Sequence, residues 1–157
     1  MMDRRRFLVA TGLAVTPLAA LLSACGSKGN WPEGMAEIKW DRDTCVRCNM
    51  VISDRRFAAE MRGGPKNTVF KFDDIGCAVF WMRDKLANYP WMSEADTRLW
   101  VADATSSGNE VRWLDAKQAQ YFSKTSPMGY NQAALALPQA GSAGFAEMSQ
   151  HVLAKGK

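Results

Sequence analysis

Alternating apolar and polar residues mark two β-strands in the middle of the chain. Residues 57–62 place Phe, Ala and Met at every second position, and residues 68–72 repeat this period with Thr, Phe and Phe. Such alternation is typical of a strand with one buried face. The intervening segment 63–67 contains two glycines and a proline, which favour a turn. The pattern therefore predicts a β-hairpin.

The period lengthens to that of a helix directly after the second strand. Asp73 and Asp74 are interpreted as helix-capping residues, because aspartate is a common N-terminal cap. The helix is expected to end before Pro90. Its apolar stripe consists of Ile75, Ala78, Val79, Met82 and Leu86.

A hairpin followed by a helix is predicted again in the C-terminal half. Residues 99–102 and 111–113 are expected to form two strands, with a turn at residues 106–109. Asp115 is expected to cap a short helix that holds Ala119 and Phe122. The remaining elements are a loop at 126–129, a strand with Ala133, Leu135 and Leu137 on one face, and a closing helix with Phe145, Met148, Ser149 and Val152.

These elements predict the α+β class, built from two small ββα(β)-type units that pack together. The first unit is expected over residues 40–92 and the second over residues 97–155. About 130 residues remain after the N-terminal signal described next, which is enough for one domain or for two very small ones that share a core.

Residues 1–24 predict a lipoprotein signal peptide. Three arginines at positions 4–6 precede an apolar run at 8–22, and Leu-Ser-Ala before Cys25 resembles a lipobox. The run is shorter than the roughly 20 residues that span a bilayer. We therefore predict export, of twin-arginine type, then lipidation at Cys25 and a flexible tether over 25–39. An ordinary cleaved signal with a chance cysteine is the alternative.

The same segment predicts the location of the mature protein. It also carries half of the net charge of the full chain. Gly26 after the lipidated cysteine favours the outer membrane, with the folded part facing the periplasm. Removing three arginines and one aspartate lowers the net charge from +4 to +2. The remaining charge is too weak and scattered for a nucleic-acid surface.

The candidate chemistry lies in a sulfur-rich segment with Cys45, Cys48 and Met50. A Cys-x-x-Cys pair can bind metal, exchange disulfides or form a structural disulfide. Structural zinc normally takes four Cys or His ligands, and only Cys77 and His151 are available beyond this pair. Thiolate and thioether are soft ligands that suit copper(I).

The individual ligands are predicted from their spacing and neighbours. An extended chain would direct the sulfurs of Cys48 and Met50 to the same side. Met128 lies in a Pro-Met-Gly loop, and its spacing alone leaves open whether it faces a metal or the core. Cys77 is interpreted as a small buried hydrophobe and His151 as solvent-exposed. The sequence offers no general acid and base pair, so no enzyme is predicted.

Three motifs in matching order resemble the NosL family, accessory lipoproteins of nitrous oxide reductase. They are the Asp-x-Cys-x-x-Cys-x-Met-x-Ile-x-Asp-x-x-Phe-Ala-Ala segment at 43–59, Lys-Phe-Asp-Asp-Ile-Gly-Cys at 71–77, and Ser-Pro-Met-Gly at 126–129. The usual family motif has Gly where this chain has Asn49, and Tyr130 replaces a small residue.

The resemblance implies a fold of two small ββαβ-type units, one bound copper(I), and copper supply to the reductase by ligand exchange. It implies Cys48, Met50 and Met128 as copper ligands and Cys45 as a fourth, with Asp43 and Asp54 as supporting residues. The implied partners are nitrous oxide reductase and the membrane transporter complex of the same maturation system.

Two alternatives differ in class from a copper carrier. A membrane-tethered thiol-disulfide oxidoreductase would use Cys45 and Cys48 in turnover. A structural lipoprotein would use the same pair only as a disulfide.

Overall fold

The predicted hairpin is present in the computed structural model, which describes residues 29–156. Strand β1 (Ala59–Gly63) pairs antiparallel with strand β2 (Thr68–Phe72), and Met61 lies opposite Phe70. Asn67 closes the turn with a φ of 52°, a left-handed conformation that asparagine tolerates. The predicted signal peptide and Cys25 lie outside the described residues.

Helix α1 (Ile75–Lys85) follows β2 directly, and its cap is confirmed. The Oδ1 atom of Asp74 accepts a 2.9 Å hydrogen bond from the backbone N–H of Gly76. A short 3-10 helix, Pro90–Ser93, then leads the chain back to the sheet.

Strand β3 (Arg98–Ala102) adds to the free edge of β1, and β4 (Trp113–Asp115) adds to β3. The resulting sheet has the order β2-β1-β3-β4 and is antiparallel throughout. Two of its strands belong to the first predicted unit, residues 40–92, and two belong to the second, residues 97–155. The two predicted units therefore share one sheet.

A second sheet contains β5 (Gln120–Ser123), β6 (Gln132–Leu135) and β7 (Ala143–Gly144) in the order β6-β5-β7. The closing helix is confirmed as α2 (Phe145–Lys155). Helix α2 packs against α1 and buries Met148 and Val152 in the main core.

The helix predicted after Asp115 is wrong. Asp115 caps only a single turn, in which its carboxylate accepts the N–H of Lys117 and its carbonyl accepts the N–H of Ala119. The chain then enters β5, because Tyr121 is buried there and pairs with Ala134. The expected strand through Leu137 is also too long, since β6 ends at Leu135.

The two faces of the four-stranded sheet carry different cores. Ala59 and Met61 point into the main core with α1, whereas Ala58 points into a smaller core with Met35 and Trp100. Two antiparallel sheets and two helices confirm the α+β class. Within residues 29–156, neither helix has the length and apolar character needed to cross a membrane.

Candidate metal centre

Three thiols and one carboxylate meet at the N-terminal end of α1. The sulfurs of Cys45, Cys48 and Cys77 and a carboxylate oxygen of Asp73 all lie within 4.8 Å of one another. Cys45, Cys77 and Asp73 are buried, and Cys48 is half-buried. All three cysteines are free thiols. This donor set is compact enough to surround a single metal ion.

A tight turn brings the first two cysteines together. The N–H of Cys45 donates to the carbonyl of Met50 at 2.8 Å, and the N–H of Asn49 donates to the carbonyl of Cys45 at 2.9 Å. Asn49 has a φ of 60°, a conformation that glycine adopts readily and asparagine tolerates. The turn therefore explains how Asn49 can stand where the family motif has Gly.

Backbone pairing places this turn beside the other two donors. The N–H of Val46 donates to the carbonyl of Lys71 at 3.0 Å, which fixes the turn against the end of β2. Asp73 follows β2 directly, and Cys77 lies in the first turn of α1. Asp74, the extended N-cap of α1, separates the two residues from a continuous helix, and their donor atoms nevertheless meet in the cluster.

The pKa of the Cys45 thiol lies below that of an ordinary cysteine. A hydrogen bond from the Cys77 thiol lowers the pKa of Cys45 to about 5, against the opposing effect of burial. Backbone N–H groups of Cys48, Asp73 and Arg47 also stabilise the Cys45 thiolate. These contacts favour the thiolate form of Cys45, the form that binds metal ions.

The remaining donors hold their protons more tightly. Burial raises the pKa of Cys48 to about 12 and that of Asp73 to about 6, and the Cys45 charge adds to both effects. The pKa of Cys77 is raised because its thiol donates to Cys45 and is buried. A cation in the centre would favour further ionisation of these groups.

One of the two carboxylate oxygens of Asp73 is buried without a hydrogen-bond donor in the described part of the chain. The Oδ1 atom of this carboxylate accepts a hydrogen bond from Cys48 Sγ at 3.3 Å and lies 3.7 Å from Cys77 Sγ. Its buried Oδ2 has no hydrogen-bond partner within residues 29–156. A buried carboxylate oxygen without a donor is costly, and it fits a centre that takes a cation.

The geometric reason given for Met50 is wrong. With Asn49 in the left-handed conformation, the chain from Cys48 to Met50 is not extended, so the same-side argument does not apply. The Met50 side chain is 49% exposed. Met128 is half-buried and packs against the main core. The assignment of both methionines as ligands stays a prediction.

The two predicted supporting aspartates make local contacts in the preceding loops. Asp43 forms a 2.6 Å salt bridge with Lys71 and accepts a hydrogen bond from the N–H of Lys39. Burial raises the pKa of Asp43, but these contacts outweigh it and lower the pKa below its usual value. Asp54 pairs with Arg56 at 2.7 Å, which lowers the pKa of Asp54.

Two cluster members were missed by the sequence interpretation. Cys77 was predicted to be a small buried hydrophobe, and Asp73 was predicted only to cap the helix. Cys77 is buried, but its sulfur lies in the cluster, and Asp74 alone provides the cap. No local sequence signal distinguishes Cys77 from an ordinary buried cysteine. His151 is exposed, as expected.

Comparisons with solved structures show a structural likeness to a copper chaperone. The crystal structure of the copper chaperone NosL from Shewanella denitrificans is similar to this chain at a TM-score of 0.48 and 14% sequence identity, covering 79% of this chain and 89% of that one. That structure comes from the family that the sequence motifs resemble. No protein-family model matches the chain, and no curated protein matches it.

Proposed function

We propose that this chain binds copper(I) at Cys45, Cys48 and Cys77, with Asp73 beside them, and passes the ion to a partner by ligand exchange. The observation that carries this proposal is the convergence of three sulfurs and a carboxylate oxygen within 4.8 Å. Thiolate donors select soft ions such as copper(I). The Cys45 thiolate provides the first strong ligand before the ion arrives.

The order in which the cysteines would leave the copper ion follows from how exposed each side chain is. Cys45 and Cys77 are each 0% exposed, whereas Cys48 is half-buried and Met50, on the same turn, is 49% exposed. A partner's ligands therefore approach the ion from the side of Cys48 and Met50. The buried thiols hold copper(I) until the incoming ligands have bound, so the free ion is not released to solvent.

The recipient and the location belong to the same proposal. The motif resemblance supports nitrous oxide reductase as recipient, with the membrane transporter complex of its maturation system as a second partner. The lipobox-like segment before Cys25 supports a lipid anchor on the periplasmic side of the outer membrane. Anchoring restricts the search for a membrane partner to two dimensions and raises its effective concentration.

A competition titration tests the metal and its ligands. The reduced full-length chain is titrated with copper(I) against a chromophoric copper(I) chelator, and X-ray absorption counts the bound sulfurs. We expect one ion per chain with sulfur-dominated ligation. Cys77→Ser should weaken affinity by at least about 10–100-fold, the size of effect seen even for outer-shell changes at metal sites.

Ala78→Ser is the matched control. Ala78 is the next residue of α1 and is also 0% exposed, so this change adds the same hydroxyl without removing a sulfur. We expect unchanged copper(I) affinity. If both variants bind copper(I) like the unmodified chain, Cys77 is not a ligand and the proposed centre is wrong.

Structural zinc is a second candidate for this centre, because the Asp73 carboxylate adds a fourth donor to the three cysteines. Zinc(II) is often held by closed tetrahedral sites. The zinc-loaded chain is therefore challenged with one equivalent of copper(I). Our proposal expects zinc release, and retention of zinc would favour a purely structural site.

A thiol-disulfide oxidoreductase is a further candidate, favoured by the low pKa of Cys45. The same sulfur belongs to a residue that is 0% exposed, which opposes attack on a bulky disulfide. Insulin reduction separates the two functions. A carrier should give no turnover above background, and catalytic turnover would reject the proposal.

A further inference from the structure

Three tryptophans from distant parts of the sequence form a cluster on one surface, hereafter the tryptophan cluster. The ring centroids of Trp31 and Trp113 are 5.5 Å apart, and Trp40 lies 6.3 Å from each of them. All three rings are half-buried against the smaller core. The main core, with α1 and the metal centre, lies on the opposite face of the four-stranded sheet.

A cavity of about 290 Å³ opens beside these rings. Its lining includes the tryptophan cluster, Gly29 and Arg55. The guanidinium carbon of Arg55 lies 5.0 Å from the centroid of the Trp40 ring. The buried Nε of Arg55 has no hydrogen-bond partner within the described part of the chain. Glu37 also lines the cavity, which therefore combines aromatic walls with one cationic and one acidic side chain.

This combination matches the chemistry of a membrane–water interface. Tryptophan is enriched at the level of lipid headgroups, where its apolar ring and polar N–H are both accommodated. Arginine binds phosphate with fixed geometry through its guanidinium group. A lipid phosphate in the cavity would meet the guanidinium group of Arg55, which lines it.

The position of the predicted anchor points to the same surface. Gly29 lines the cavity and stands four residues after Cys25. A chain of this length spans at most roughly 14 Å. The headgroup layer on each side of a bilayer is about 5–7 Å thick. A lipid on Cys25 would therefore keep the tryptophan cluster within reach of the headgroups.

We propose that the tryptophan cluster and Arg55 dock into the headgroup region of the membrane that holds the lipid anchor. This inference rests on the anchoring at Cys25 in the proposed function. Docking through this face fixes the orientation of the folded part. The metal centre, on the other face of the sheet, then points away from the bilayer and stays open to a partner.

Fluorescence quenching in vesicles tests the orientation. The acylated protein is reconstituted into phosphatidylethanolamine–phosphatidylglycerol vesicles with and without a headgroup nitroxide lipid, and vesicle flotation is measured in the same samples. Three of the six tryptophans belong to the cluster, so the nitroxide should remove up to about half of the emission. The emission of Trp81 and Trp91, which pack with the main core, should be unaffected.

Conservative variants assign the quenched rings. The combined Trp31→Phe, Trp40→Phe and Trp113→Phe variant should float normally and lose the nitroxide effect. The matched Trp81→Phe and Trp91→Phe variant alters rings that pack with the main core and should keep the full effect. Because the unmodified protein is itself informative, the test does not depend on folding of the triple variant.

Other outcomes overturn the proposal. Normal flotation without quenching would leave the anchor intact and reject docking through this face. Quenching confined to Trp81 and Trp91 would reverse the orientation. A concentration-dependent emission change without vesicles would assign the cluster to contact with a second copy of the chain. Failure to float would reject the anchor itself, and the docking with it, while copper(I) titration would still report on the metal centre.

Discussion

The hydroxyl of Ser126 donates a 2.6 Å hydrogen bond to Oδ2 of Asp74, which is 52 residues earlier in the chain. The same oxygen accepts the N–H of Met128 at 3.3 Å, while Oδ1 of Asp74 caps α1 through Gly76. One buried carboxylate thus fastens the Met128 loop to the helix end that carries Cys77. This contact places the loop of Met128, a predicted ligand, beside the helix end that contributes Cys77 to the cluster.

Ser126→Ala should destabilise the fold through this carboxylate. Removing the hydroxyl leaves the buried Asp74 with fewer donors, which costs about 1–3 kcal/mol. Urea unfolding of the reduced chain measures the change in the free energy of unfolding. The control is Ser93→Ala, since Ser93 is exposed and its hydroxyl donates to the nearby carbonyl of Pro90. A control effect within about 0.5 kcal/mol is expected, and equal losses would contradict a special role for Ser126.

Met50→Leu and Met128→Leu test the two predicted thioether ligands separately. If each sulfur binds the ion, each change should lower copper(I) affinity by about tenfold or more, because leucine keeps the apolar volume but removes the donor. Competition with a copper(I) chelator measures this effect.

Met92→Leu serves as the matched control for the methionine variants. Met92 is buried in the main core and should tolerate the change without loss of copper(I) affinity. Unchanged affinity in Met50→Leu alone would restrict the site to thiols and Met128. Unchanged affinity in both ligand variants would remove the methionines from the centre.

The local parts of the fold were predictable from the sequence because their signals are local. The period of two and the Gly-Gly-Pro turn predicted β1 and β2, and Asp74 at the start of an apolar stripe predicted α1. Asp115 gave an equally good capping signal, yet it caps one turn only. Pairing of Tyr121 with Ala134 decides for a strand there, and such pairing between distant segments leaves no local trace.

The metal centre was only half predictable for the same reason. The Cys-x-x-Cys spacing identifies Cys45 and Cys48 as a candidate site. Cys77, in contrast, is indistinguishable in sequence from an ordinary buried thiol. Its participation depends on the hydrogen bond from Val46 to Lys71, which sets the turn beside α1. The positive φ of Asn49 likewise depends on closure of that turn.

Gly76→Ala should damage the junction between α1 and the Met128 loop. A Cβ at position 76 would lie 2.2 Å from Cγ of Tyr130, whose ring is buried and packs on Phe80. Overpacking of this kind costs about 1–3 kcal/mol. Thermal unfolding should show a lower midpoint.

Gly144→Ala is the matched control for that change. Nothing lies within 4 Å of a Cβ built at Gly144, and its φ of −72° suits any residue. We expect a midpoint close to that of the unmodified chain. A smaller loss in Gly76→Ala than in Gly144→Ala would show that Tyr130 can move aside.

Glu60 should make stability depend on pH. Its side chain is 0% exposed on β1, its Oε1 accepts the N–H of Ala36 at 2.7 Å, and burial raises its pKa from 4.5 to about 7. A raised pKa means that the folded state favours the protonated acid. Its contribution is therefore complete below pH 4.5 and is lost as the pH rises through about 7.

Glu60→Gln should remove this dependence because the amide keeps the acceptor for Ala36 and cannot ionise. Relative to the unmodified chain, the variant should gain stability between pH 4.5 and 7, on the order of 1–3 kcal/mol at the upper end. Urea unfolding across this range measures the free energy of unfolding of both proteins. Asp73, whose pKa is also raised, contributes equally to both, so its effect cancels when one value is subtracted from the other. Glu94 is exposed, and the Glu94→Gln control should show the same change of unfolding free energy with pH as the unmodified chain. A constant offset between Glu60→Gln and the unmodified chain across this range would show that Glu60 ionises equally in both states.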